Sequence, residues 1–190
     1  MYPDPQSVTR VTSIGAGPIG AGWTAHFLAR GYDVTAYLHD VAEADAFMSI
    51  LNTAWISLTD LGLADGASRD RLRIETDLKD ALEGAEFVQE SGPERLGVKQ
   101  ALYAKMGVIL PPSVVIGSST SGLMMSDIQA DCPTPERTVI GHPFNPPYLL
   151  PLVEIVGGKK TAPEAVNWAG DFYKIAGKAP LMMKKEIQWR

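Results

Sequence analysis

Residues 8–20 read VTRVTSIGAGPIG. Val8 to Ile14 first alternates and then turns apolar, as a buried first strand does. It runs directly into Gly15-Ala16-Gly17-Pro18-Ile19-Gly20. A helical pattern follows through Trp23, Phe27 and Leu28 and stops at Gly31. Each glycine has its own task in such a unit. Gly15 permits a tight turn, Gly17 lets backbone approach a pyrophosphate, and Gly20 lets the helix pack on the strand. The helix N-terminus then offers unpaired N–H groups to phosphates. A lone G-x-G-x-x-G is weak, and a tight βα turn that binds nothing has the same spacing. Its position between a strand and a helix favours a dinucleotide site built from Gly15 to Gly20.

Working outward, Asp33 to Leu38 reads as the second strand. Such sites place an acid about 20 residues past the glycines to hold the adenosine ribose. Leu38 stands at that position, and the nearest acid is Asp40. Leucine cannot bond a hydroxyl, and no arginine stands nearby to receive a 2′-phosphate. Either Asp40 reaches back through a shifted turn, or adenosine recognition is altered. Residues Val41 to Leu61 predict a long helix, with Phe47, Ile50, Leu51, Ala54, Trp55 and Leu58 along one face. After a charged connection, Ile74 begins a short strand and Asp77 to Leu82 a brief helix closed by Gly84. Phe87 to Glu90 reads as a strand, and Glu94 opens a helix through Lys99, Leu102 and Met106. Val114 to Ile116 is a further short strand. The Ser118-Ser119-Thr120-Ser121-Gly122 run after it suits an oxygen- or phosphate-binding loop, or the cap of a helix beginning at Leu123. Pro163 to Ile175 is a helix and Ala179 to Met183 a last strand. Strands alternating with helices after a Gly-rich first turn predict an α/β fold. It is Rossmann-type, with a doubly wound, mostly parallel sheet.

Composition narrows the function classes. The chain has 190 residues, 45% of them apolar, enough for a normal core. A formal charge of -5 with no long basic run argues against nucleic acid and anionic membrane as main partners. Cys132 is the single cysteine, so no intrachain disulfide forms and a reducing compartment fits. No signal core and no apolar run of about 18 residues is seen. The expectation is a cytoplasmic protein without a metal site.

Val139 to Val156, VIGHPFNPPYLLPLVEIV, carries the chemistry. A β-branched run ends at His142, a proline-rich turn follows, and a second apolar run contains Glu154. A histidine on a strand end, oriented by an acid, is a general-base arrangement. The plainer reading makes His142 a strand cap and Glu154 a solvated charge.

The motifs GAGPIGAGW, QESGPERLGVK, SSTSGL, GHPFNPPYLLPLVE and KKEI occur in one order across residues 7–187. Together they resemble the NAD-binding domain of the 3-hydroxyacyl-CoA dehydrogenase superfamily. AWISLTDLGLADGASRDRL and GHPFNPPYLLPLVEIVGG resemble the branch that acts on L-carnitine. The resemblance implies NAD as cofactor and hydride transfer from a secondary alcohol. It implies His142 as base, Glu154 as its orienting acid, and Ser121 near the reacting oxygen. It also implies Glu94, Lys99 and Asn145 around the nicotinamide half of the cofactor. A quaternary ammonium cannot donate hydrogen bonds and is usually met by aromatic faces. Phe144 and Tyr148 are the candidates, and simple loop packing is their other explanation.

Superfamily members continue after KKEI into a helical, dimer-forming C-terminal domain that helps close the substrate site. The sequence stops at Arg190, which predicts a cofactor domain alone over 1–190. Three expectations follow: an exposed apolar face, self-association where the family forms homodimers, and weak or absent turnover. Two other readings stand beside carnitine oxidation. One is a dehydrogenase of 3-hydroxyacyl-CoA or L-gulonate. The other is a non-catalytic dinucleotide-binding or structural module.

Overall fold

A computed structural model describes residues 2–186. Ile187, the last residue of the KKEI motif, lies outside the described residues.

The first unit forms as its glycines require. Strand β1 (Arg10–Ile14) enters a turn at Gly15, whose φ of 115° is open only to glycine without strain. Helix α1 (Pro18–Ala29) starts with proline at its first position. A Cβ on Gly20 would sit 2.0 Å from the Gly15 carbonyl oxygen, so only glycine lets α1 lie this close to the turn.

The remaining elements follow in order. They are β2 (Asp33–Tyr37), α2 (Ala44–Leu61), β3 (Leu72–Glu75), α3 (Leu78–Leu82), β4 (Phe87–Glu90) and α4 (Leu96–Ile109). Then come β5 (Val115–Ser118), α5 (Met125–Ile128), β6 (Thr138–Pro143), β7 (Leu152–Gly157), α6 (Pro163–Ile175) and β8 (Ala179–Met182). The sheet order is β3-β2-β1-β4-β5-β6-β7-β8. Neighbours are parallel except β6 and β7, which pair antiparallel. This is the expected Rossmann-type, mostly parallel sheet. Its order reverses between β1 and β4, the point where such sheets bind ligands.

Two cores cover the two faces. One packs α1, α2 and α6 through Trp23, Phe27, Phe47, Leu51 and Phe172. The other packs α4 and α5 through Tyr103, Met106, Met125 and Ile128. Helix α1 is buried from Gly20 to Ala29, wedged among the sheet, α2 and α6. Helix α2 buries Phe47, Leu51, Ala54 and Leu58 as the stripe predicts. Two elements are shorter than expected. Helix α4 begins at Leu96 rather than Glu94, because Pro93 and Arg95 form a turn closed by a 2.7 Å backbone bond. Helix α5 is a single turn, and Met124 caps it without a side-chain bond. No helix among the described residues is long and apolar enough to cross a membrane.

Gly20→Ala should destabilise the protein by about 1–3 kcal/mol through overpacking against the Gly15 carbonyl. Chemical denaturation of the two forms measures it.

Candidate active site and cofactor groove

Strands β1 and β4 stay paired to their last residues, Ile14 and Glu90, and a groove opens between the turns that follow them. Ile14, Gly15 and Ala16 line it on one side, and Gly92, Pro93 and Arg95 on the other. It extends past Tyr37, His39, Glu43 and Leu78. Gly17 caps α1 without a side-chain bond, and a Cβ there would meet nothing within 4 Å. Space is therefore open beside the Gly17 backbone at the start of α1. Unpaired donors beside an open backbone fit a pyrophosphate.

Two charged residues stand under the groove's edge. Glu90, fully buried at the end of β4, pairs with Lys99 at 2.7 Å. The same carboxylate accepts from the Gly92 amide at 2.6 Å and the Ser118 hydroxyl at 2.7 Å. Lys99 also donates to the Gly92 carbonyl at 3.3 Å and lies 3.7 Å from Glu94. Lys99 is itself 1% exposed, so it acts on the groove through these neighbours. Glu94 reaches across to the hydroxyl loop, accepting from the Ser121 and Gly122 amides at 3.1 and 3.2 Å. Partial burial pushes the Glu94 carboxyl up. The Thr120 hydroxyl, those two amides and Lys99 outweigh it and hold the group below the usual carboxylate range. Thr120 also accepts from the Leu123 amide at 3.1 Å, so the loop is held at both ends.

The antiparallel pairing of β6 and β7 sets His142 directly opposite Glu154. His142 Nδ1 lies 2.9 Å from Glu154 Oε2, each side chain about one quarter exposed at 24% and 28%. A carboxylate accepts only, so Nδ1 carries the proton and Nε2 is left as the acceptor. This pair lines a pocket with Thr120, Ser121, Ile140, Met183 and Lys185. His142, Glu154 and Ser121 are thus brought together.

The other expected residues divide. Phe144 stands beside His142, ring centroids 5.6 Å apart, while Tyr148 packs against α1 at Gly22. Asn145 is exposed on the loop after β6. Asp40 is not among the groove-lining residues. It is exposed, and its Oδ1 accepts from the Ala42 amide at 2.9 Å as a helical cap. Leu38 is fully buried in the α1–α2 core, so it faces away from the groove. Sequence reasoning missed Glu90 and Glu43. Their signals were an acid inside an otherwise buried strand and the Asp40-Val41-Ala42-Glu43 capping-box spacing. Among the described residues no cluster has the makings of a metal site.

The loop 143–151 is tied down by Lys178. Its ammonium donates to the Pro147 carbonyl and to the Leu150 carbonyl at 3.3 Å, and it lies 5.0 Å from the Trp23 ring. Burial, then the Arg30 charge, pushes Lys178 down to about 7.

Residues 10–187 match the family model for the 3-hydroxyacyl-CoA dehydrogenase NAD binding domain. The chain is 52% identical to an L-carnitine dehydrogenase of Streptomyces coelicolor over 96% of its length and 58% of that relative's. For the L-carnitine dehydrogenase of Bacillus cereus the values are 43%, 96% and 56%. Among solved structures, a 3-hydroxybutyryl-CoA dehydrogenase of Escherichia coli superposes with a TM-score of 0.84 at 32% identity, over 93% of this chain and 38% of that one. A 5-formyl-3-hydroxy-2-methylpyridine 4-carboxylic acid 5-dehydrogenase, described as an NAD+ dependent dismutase, gives 0.87 at 32% identity. That match covers 95% of this chain and 59% of the other. The chain spans a little over half the length of these curated relatives.

Lys99→Met leaves Glu90 buried without its partner and should cost about 3–5 kcal/mol of stability in urea titration. Lys178 has a second, pH-dependent signature. Its folded-state pKa lies below its ordinary value, so the unfolded chain binds more protons between about pH 7 and 10.5. Stability from this group rises with pH across that window. Lys178→Met should flatten that rise in melts collected from pH 7 to 10.

Proposed function

This chain belongs to the 3-hydroxyacyl-CoA dehydrogenase family by its NAD-binding domain, and we propose that it serves the NAD-dependent oxidation of L-carnitine to 3-dehydrocarnitine. The observation that carries the proposal is the His142–Glu154 pair, 2.9 Å apart, beside Ser121 at the mouth of the pocket. His142 Nε2 takes the hydroxyl proton of the substrate, and Glu154 fixes the ring and its tautomer during that transfer. Ser121 steadies the reacting oxygen. Bound NAD supplies the hydride acceptor, held by Gly15 to Gly20 at the α1 N-terminus. Glu94, kept ionised by its neighbours, links the groove to the serine loop, with Lys99 holding it from below. Asn145, exposed beyond β6, is assigned to the nicotinamide side with them.

The carnitine assignment draws on the identity to the carnitine dehydrogenases and on Phe144. An exposed aromatic face 5.6 Å from the base suits a quaternary ammonium beside the carbinol. Self-association is supported by the edge strand β8, where Leu181 and Met182 are exposed, and by exposed Leu149 and Leu150 on the 143–151 loop.

The protein mixed with NAD+ and L-carnitine should form reduced cofactor, followed by absorbance. It should form none with 3-hydroxybutyryl-CoA or L-gulonate. His142→Gln should lower the carnitine rate about 100-fold or more while NADH still binds. A rate with the acyl-CoA alone would overturn the substrate, and a His142→Gln protein of full activity would overturn the mechanism.

A further inference from the structure

The end of β2 lacks its expected ribose acid, and the fold puts another carboxylate there. Leu38 is fully buried in the core. Three residues further on, the chain enters a short helical turn over Val41–Glu43. Glu43 folds back across that turn. Its Oε2 accepts from the His39 amide at 3.0 Å and the Asp40 amide at 3.4 Å. Among the described residues its Oε1 accepts no hydrogen bond, and Glu43 lines the groove together with Tyr37, His39, Gly15 and Ala16. Asp40, the nearer acid in sequence, caps the turn through Oδ1 and does not line the groove.

We propose that the Glu43 carboxylate binds the 2′- and 3′-hydroxyls of the cofactor's adenosine ribose, replacing the missing acid at position 38. The assignment rests on the groove being the dinucleotide site proposed above. Three features favour Glu43. A pyrophosphate at Gly15–Gly17 puts the adjoining ribose over β2, because β2 is the strand next to β1 on that side. Glu43 is held by backbone amides at the end of β2, which fixes one oxygen and leaves the other for the ligand. Asp77, the other carboxylate on this stretch, belongs to the turn after β3, one strand further out. A carboxylate facing the 2′-oxygen also repels a 2′-phosphate, so Glu43 selects NAD(H) over NADP(H).

The test titrates the 190-residue chain with NADH, NADPH and an NADH whose adenosine ribose lacks the 2′-hydroxyl, using nucleotide fluorescence. Glu43→Gln keeps an oxygen for the capping box, so its melt should stay close to wild type. The wild-type chain should bind NADH at least about 10-fold more tightly than either analogue. Glu43→Gln should weaken NADH about 10-fold or more and bind the 2′-deoxy form no worse than NADH. A purely structural role for Glu43 would weaken all three alike, and that outcome overturns the proposal. So does a larger loss from Asp40→Asn or Asp77→Asn than from Glu43→Gln. Tighter binding of NADPH than NADH would overturn it too, by handing the site to the groove cation Lys79. If wild type binds no dinucleotide, the cofactor reading fails first and this one with it. If wild type binds NADH and Glu43→Gln matches it, only the Glu43 assignment falls.

Discussion

The Glu90–Lys99 ion pair holds together the groove wall and the serine loop, where the proposed chemistry is placed. Both groups are out of water, and the loss of hydration for two such charges amounts to several kcal/mol per ion. It is offset only because the pair is saturated with further bonds. Glu90 takes the Gly92 amide and the Ser118 hydroxyl, and Lys99 gives a proton to the Gly92 carbonyl. Those bonds join the ends of β4 and β5 to α4. The turn Ser91–Pro93 forms one wall of the groove, and a Cβ on Gly15 would strike the Ser91 carbonyl oxygen at 2.4 Å. The glycine turn therefore has its shape only while the β4 turn stays in place. A hydrophobic pair of similar volume could fill the same space, but it could not bond the β4 turn and the end of β5 to α4 at once.

From this anchor the site divides into two halves joined by one side chain. The groove belongs to β1, β2 and β4, and the His142–Glu154 pair to β6 and β7. Glu94 spans them, with Lys99 beneath it on one side and the Thr120–Gly122 amides and hydroxyl on the other. The proposed hydride transfer would need the carbinol and the acceptor carbon in near-attack geometry, where small displacements are expensive. A carboxylate that binds both halves resists such displacement more strongly than either half alone.

Much of this was legible in the sequence because it is local. The glycine spacing, the α2 stripe from Phe47 to Leu58 and the 163–175 helix are set by neighbours a few residues away. The His142–Glu154 pair was legible only as a strand-end histidine with an acid to orient it, beside the plainer reading of a strand cap and a solvated charge. The antiparallel register then decides that 142 faces 154. Glu90 was not legible, because its value depends on Lys99, Ser118 and Gly92 meeting in space. Tyr148 illustrates the same limit. Its position in the loop suggested a ligand, while its ring is occupied in packing on α1 beside Pro147.

Position 38 shows how a broken motif is to be read. The usual inference from a missing acid is loss of function, or rescue by the closest acid in sequence. Sequence distance is a poor guide at a strand end, because the chain reverses there. Asp40 is two residues from Leu38, and Glu43 is five. Yet the helical turn folds Glu43 back over the His39 and Asp40 amides and aligns it with the groove, while Asp40 caps from outside. The capping box that sets this turn is a backbone requirement, independent of any ligand. Once the box is formed, a carboxylate with a free oxygen stands at the end of β2 at no added cost in order. Leucine at 38 packs into the α1–α2 core, and the proposed ribose site does not depend on an acid there.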